Sequence, residues 1–227
     1  MVFTPIIGTL VYLLDRDSKS VLLIKRDARP SDDHYGKFNG LGGKLEIDES
    51  VVEGARREIE EEAGVTLTSL VLRGTVSWSN FGPNREEWLG FIFLSDAWEG
   101  ELLSSNEEGS LVWVELDRLL KACDIDPVVR ASADLPMWEG DRHFVPLVFD
   151  DDPLQFHGSM PYDTDRSISW CFERIYRLEP HVLVIDGLGI DSSNWRSNPV
   201  GHMTGLVDGL HQGGHIFSIG FSREKTG

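Results

Sequence analysis

The chain has 227 residues, enough to bury a full core as one domain with or without an appendage. Hydrophobic residues at 41% and charged residues at 26% are ordinary for a soluble globular protein. A formal net charge of −17 leaves no basic stripe to displace counterions from polymeric nucleic acid, so that class of partner is excluded.

The opening run from Val2 to Leu14 has neither a basic start nor a clear small-residue cleavage site, and reads as a core strand rather than a signal segment. Strands are expected over 7–14 and 21–26, paired as a hairpin around the polar turn 15–19. A polar loop over 27–37 leads to Phe38-Asn39-Gly40-Leu41 and a glycine pair, and a helix is expected from about Ser50 to Ala63. Strands follow over 68–79 and 87–95, separated by the turn cluster 81–85. A short strand over 111–115 precedes a second helix over 116–122. Residues 143–149 and 154–160 read as strand or extended segments, and 167–176 as a last strand or helix. Periodicity alone supports an α/β or α+β class.

No run is apolar and long enough to span a membrane. Cys123 and Cys171 stand apart, outside any metal or redox motif, which suits a reduced, cytoplasmic setting. The segment beyond about Leu178 holds nine of the 23 glycines and is expected to be an extension of unassigned role, giving a domain over 1–176 and an extension over 177–227.

The chemistry lies in the expected helix. Glu58, Glu61 and Glu62 stand at i, i+3 and i+4, positions that share one helix face. At ~100° per residue the three carboxylates fall within roughly one quadrant. Such a cluster repels itself unless a cation sits among the acids, and hard divalent ions with all-oxygen ligands, Mg²⁺ or alternatively Mn²⁺, suit it. Val52, Ala55, Ile59 and Ala63 are expected to form the adjacent apolar stripe, with Glu53, Arg56 and Glu60 solvated. Arg57 has Glu53 four residues before it and Glu61 four after, partners that would hold the acids in place. Gly64 signals the helix end.

The run Gly43, five residues, Glu49, seven residues, Arg57-Glu58-Ile59-Glu60-Glu61-Glu62-Ala63-Gly64-Val65 matches the Nudix box without departure, so the chain resembles the Nudix hydrolases. The resemblance implies an α/β/α sandwich around a mixed β-sheet, and an enzyme in which water attacks a phosphorus of a nucleoside diphosphate derivative. It implies Glu58, Glu61 and Glu62 as metal ligands with the Gly43 carbonyl and, from a loop outside the box, Glu108. Either Glu58 or Glu61 would act on the attacking water, and Arg57, bonded to Glu49, would orient the acids.

A second likeness concerns the base. Phe38-Asn-Gly-Leu-Gly-Gly-Lys44, Pro136-Met-Trp-Glu-Gly-Asp141, Phe144-Val-Pro-Leu147 and Phe156-His-Gly158 follow the order of motifs in the animal-type 8-oxo-dGTP diphosphatases. That likeness implies base contacts from Asn39, Trp138 and Asp141, with Trp88 in the pocket wall. It implies cleavage of oxidised purine nucleoside triphosphates to monophosphate and pyrophosphate, in nucleotide pool sanitisation. The first acid of the family's pair is replaced by Gly140, which alters how a base would be read. The alternatives are a Nudix hydrolase of ADP-ribose, a nucleotide sugar or a dinucleoside polyphosphate, and a Nudix-fold sensing module without catalysis. The expected partner is a small nucleotide, and no protein partner is indicated.

Overall fold

The structure is a computed structural model and describes residues 2–175. The proposed extension over 177–227 lies outside the described residues. The chain divides into two units, residues 1–172 and 173–227; the fold below is that of the first.

The elements run β1 (Ile6–Asp15), β2 (Ser20–Lys25), β3 (Phe38–Asn39), α1 (Val51–Ala63), β4 (Thr66–Leu67), β5 (Val71–Phe81), β6 (Glu86–Ser95) and β7 (Trp98–Glu99). They continue with β8 (Ser110–Glu115), α2 (Leu116–Ala122), α3 (Pro127–Ser132), α4 (Asp141–Phe149), β9 (Phe156–Thr164), β10 (Arg166–Ser167) and β11 (Cys171–Arg174). The main sheet is mixed, with the order β10-β9-β5-β6-β1-β2-β3. β1 runs parallel to β6 and β5 parallel to β9, whereas β1 and β2 form the antiparallel hairpin that the turn at 15–19 implied.

Both faces of this sheet are buried, which is why β1 and β2 read as unbroken apolar runs. Val11, Leu13, Leu22 and Ile24 pack against Ala55, Ile59 and Ala63 of α1. Tyr12, Leu14, Val21 and Leu23 point the other way, into the cluster with Leu119 of α2 and Phe144, Val145 and Val148 of α4. Alternation along a strand thus feeds two separate cores, and the result is an α/β/α sandwich.

α1 is well specified locally. Ser50 caps it, with its side chain accepting the Glu53 N–H and the Glu53 carboxylate accepting the Ser50 N–H, a reciprocal capping box. Gly64 in the left-handed region closes the helix, its N–H donating to the Glu60 carbonyl. Two expectations need correction here. Val52 is 44% exposed, and Val51 takes its place against the core because the stripe runs at four-residue steps through Ala55, Ile59 and Ala63. Glu53 is engaged by the cap and does not pair with Arg57. Arg56 is exposed as expected, and its guanidinium donates to the Leu67 carbonyl.

The segment 143–149 is helix α4 rather than a strand. Its buried Phe144, Val145 and Val148 share one helical face, but in so short an apolar run helix and strand look alike, and Pro146 inside it argued against a helix. α3 was not expected, although Asp126 caps it and Pro127 opens it in the usual way. Among the described residues no helix is long and apolar enough to cross a membrane.

Candidate active site

A cleft of about 750 Å³ is lined by residues of β1, β5, β6 and β9, the Glu58 and Glu62 face of α1 and the start of α4. Its wall contains Asn39, Gly43, Arg57, Glu58, Glu62, Trp88, Glu108, Trp138 and Asp141, residues dispersed over a hundred positions of sequence. Glu61 is not part of that wall; its side chain is 61% exposed and its carboxylate is held outside by Arg57.

At the α1 end, Arg57 organises the acids. It grips Glu49 through two parallel bonds, Nη2 to Oε1 at 2.7 Å and Nε to Oε2 at 3.0 Å. The same guanidinium donates to Glu58 at 3.0 Å, to Glu61 at 3.1 Å and to the Lys44 carbonyl at 3.1 Å. Two-pronged arginine–carboxylate pairs are strong and directional. The Arg57 bonds, with the Glu46 N–H behind them, draw the Glu49 carboxyl down to about 2. This tie pins the Gly43–Ser50 loop to the helix beside the acids.

Gly43 is glycine for a reason of space. A Cβ there would lie 2.5–2.8 Å from the Glu58 carboxylate, so only the bare backbone lets that acid reach across. The Gly43 carbonyl accepts the Thr9 N–H at 2.8 Å and keeps a second lone pair. Burial raises the Glu58 carboxyl despite Arg57. Glu62 accepts the Gly42 N–H at 2.8 Å, yet burial, reinforced by the charges of Glu108 and Glu58, pushes its carboxyl up to about 8. Glu108 itself bonds Arg26, whose remaining guanidinium bonds go to Asp32.

Among the described residues no three acidic, histidine or cysteine side chains converge, as they stand, on a point that would hold a metal ion. The donor set nevertheless fits a hard divalent cation. It consists of carboxylates and one backbone carbonyl, and burial with the neighbouring Glu108 and Glu58 charges raises the Glu62 carboxyl, a state that a bound cation would relieve. Arg57 engages Glu58 and Glu61, and Arg26 engages Glu108.

The opposite end is aromatic. Trp138 is 8% exposed and meets the rings of Phe81 and His34 edge-on at 5.0 and 5.2 Å, with Lys37 Nζ 4.2 Å over its own ring. Asp141 lies partly buried beside it, and burial, partly opposed by a Trp138 backbone hydrogen bond and by Lys37, raises its carboxyl to about 7. The structure also explains Gly140. A Cβ at that position would collide with the Tyr162 hydroxyl and the Met160 sulfur, so Tyr162 occupies the place where a side chain would emerge. Trp88 donates its indole N–H to Glu86 at 2.9 Å and carries Lys44 Nζ 5.3 Å over its ring.

Several wall residues escaped the sequence reading: Thr9, Arg26, His34, Trp78 and Tyr162. Thr9 left a signal, a hydroxyl within a buried apolar strand; its Oγ1 is buried without a partner. Trp78 lies over Gly90 on the neighbouring strand, a pairing that no local motif announces.

The NUDIX domain family model matches residues 4–145. This chain belongs to the Nudix family. It is a Nudix hydrolase, of the class that acts on pyrophosphate bonds. A Bacillus subtilis protein described as the uncharacterized Nudix hydrolase YvcI is 30% identical over 171 residues, covering 74% of this chain and 91% of its own. The oxidized purine nucleoside triphosphate hydrolase of Mus musculus is 29% identical over 141 residues, 62% of this chain and 80% of its own. The crystal structure of a mutator MutT protein from Bacillus halodurans superposes with a TM-score of 0.58 at 27% identity, covering 74% of this Nudix chain and 97% of the other.

Proposed function

We propose that this Nudix hydrolase is a divalent-metal-dependent pyrophosphohydrolase of purine nucleoside triphosphates, with oxidised purines such as 8-oxo-dGTP as its preferred substrates. The observation that supports this reading is a single cleft with acids and a glycine carbonyl at one end and a buried indole, amide and carboxyl at the other. The likeness to the mouse oxidized purine nucleoside triphosphate hydrolase points the same way.

In this reading water attacks a phosphorus, the bridging P–O bond breaks, and nucleoside monophosphate and pyrophosphate leave. Gly43 O, Glu58 and Glu62, joined by Glu61 and Glu108, would hold Mg²⁺ or Mn²⁺, which when bound would screen the phosphate charge and acidify a water. Lys44, Arg26 and Arg57 add fixed positive charge to the cleft wall, offsetting the chain's overall negative field at the phosphates. Glu58 or Glu61 takes the water's proton; both accept a bond from Arg57, and Glu58 lines the cleft whereas Glu61 does not. Trp138 and Asn39 hold the base, and Asp141 contributes a carboxyl that burial raises to about 7.

A second reading is favoured by one observation. Tyr162 stands where the family's first acid would project, so the pocket offers a phenol and one carboxyl in place of two. Such a pocket also suits another nucleoside diphosphate derivative, ADP-ribose or a nucleotide sugar. Product analysis over a panel of 8-oxo-dGTP, dGTP, ADP-ribose and a nucleotide sugar with Mg²⁺ or Mn²⁺ separates the two. Monophosphate and pyrophosphate from 8-oxo-dGTP, well ahead of dGTP, are expected. Equal use of both, or a preference for the sugar derivatives, would refute the substrate assignment.

A further inference from the structure

His34 lies in the loop between β2 and β3, and the structure fixes that loop firmly. The Gly36 N–H donates to the Arg26 carbonyl at 2.7 Å and the Arg26 N–H to the Lys37 carbonyl at 2.9 Å, closing the loop at its neck. Asp32 accepts the Arg26 Nε–H at 3.0 Å and the His34 N–H at 3.0 Å, so the His34 backbone is held from within the loop.

The ring's hydrogen bonds then follow from chemistry alone. The indole Nε1–H of Trp138 lies 2.8 Å from His34 Nδ1, and an indole nitrogen can only donate. His34 Nδ1 is therefore the acceptor, and the imidazole proton resides on Nε2. The Asn39 amide lies 3.2 Å from the same Nδ1, so the atom it presents there must be its N–H₂. Both donors share one lone pair, the indole more closely. The two ends of an amide are nearly alike in shape, so hydrogen bonding alone decides which way Asn39 faces. With Nδ2 turned to His34, Asn39 Oδ1 is left in the cleft wall, buried and without a partner.

We propose that His34 is a specificity-determining positioning residue: it locks the Asn39 amide with its oxygen facing the ligand, so that the cleft selects nucleotides whose base offers an N–H donor at that point. The inference rests on the base-binding role of this end of the cleft. An unpaired buried acceptor is satisfied by a ligand donor and opposed by a ligand acceptor, a difference of ~5- to 150-fold in affinity. Purines differ in this respect without differing in size. Oxidation at C8 converts the N7 acceptor into an N–H donor, and guanine and adenine present opposite patterns at N1.

The test compares wild type, His34→Leu and His34→Gln on a panel of dGTP, 8-oxo-dGTP, dATP and 2-oxo-dATP. His34→Leu removes the acceptor and lets the amide turn over. The ratio of kcat/KM between the most and least favoured purine is expected to fall ~5-fold or more, through KM, with kcat nearly unchanged. Gln offers an acceptor oxygen and is expected to restore most of the ratio. Nitrogen NMR of the wild-type histidines provides a second readout that does not depend on any variant folding. A neutral His34 with its proton on Nε2 at pH 7 is expected, and a proton on Nδ1 would overturn the inference. Wild-type discrimination that survives in His34→Leu would also overturn it while leaving the base-binding reading intact. Uniform use of the whole panel by the wild type would defeat that reading itself.

Discussion

Replacing Glu62 by Gln removes a buried charge that the metal-free protein accommodates poorly. The Glu62 carboxyl is raised from its ordinary 4.5 to about 8, chiefly by burial, with Glu108 and Glu58 adding to the effect. Because the folded state binds this proton more tightly than the unfolded chain, stability is highest below pH 4.5 with respect to this group and declines as pH rises toward 8. At about 1.4 kcal/mol per unit, the decline amounts to roughly 3 kcal/mol by pH 7 and between 4 and 5 kcal/mol above pH 8. A glutamine at position 62 keeps an oxygen for the Gly42 N–H but has no proton to lose. Urea unfolding of both proteins in chelator, at pH 5 and pH 8.5, measures the difference directly. The account expects Glu62→Gln to match wild type at pH 5 and to exceed it by several kcal/mol at pH 8.5. Added Mg²⁺ should narrow that gap by stabilising the wild type alone. Parallel stability curves for the two proteins across this pH range would refute the reasoning.

Two further outcomes follow from the cleft. Gly43→Ala places a methyl against the Glu58 carboxylate, and is expected to cut turnover ~100-fold or more by displacing that acid while circular dichroism shows the fold intact; near wild-type turnover would contradict it. Asp141 titrates near 7 in the base pocket, so if its protonated form donates to the base, kcat/KM for the preferred nucleotide declines as pH rises through about 7. Asp141→Asn, which cannot ionise, is expected to remove that limb of the profile.

How much of this was legible in the sequence depended on distance along the chain. The acidic helix was plain because its information is local: the cap at Ser50, the i, i+3, i+4 acids and Gly64 lie within one short stretch. Its apolar stripe was misplaced by one residue at Val52, since the first turn of a helix can enter the core from either side. α4 reads from sequence as a strand or extended segment because a brief apolar run containing Pro146 is too short for its periodicity to separate helix from strand. The far end of the cleft was harder still. Thr9, Trp78, His34 and Tyr162 come from separate strands and a loop, and the strand residues meet only through the successive pairings of β1 with β6, β6 with β5 and β5 with β9. Gly140 illustrates the limit. In sequence it is a missing acid, whereas in space it makes room for the Tyr162 hydroxyl, and nothing near position 140 says so.

The central claim is that the face of α1 carrying Glu58 binds a divalent ion against a diphosphate. Calorimetric titration of Mg²⁺ and Mn²⁺ into wild type and Glu58→Gln, paired with turnover of the best substrate by the same samples, tests it most directly. The account predicts that the variant loses both ion affinity and turnover, each by ~100-fold or more, while remaining folded. Unchanged ion binding together with unchanged turnover would contradict it.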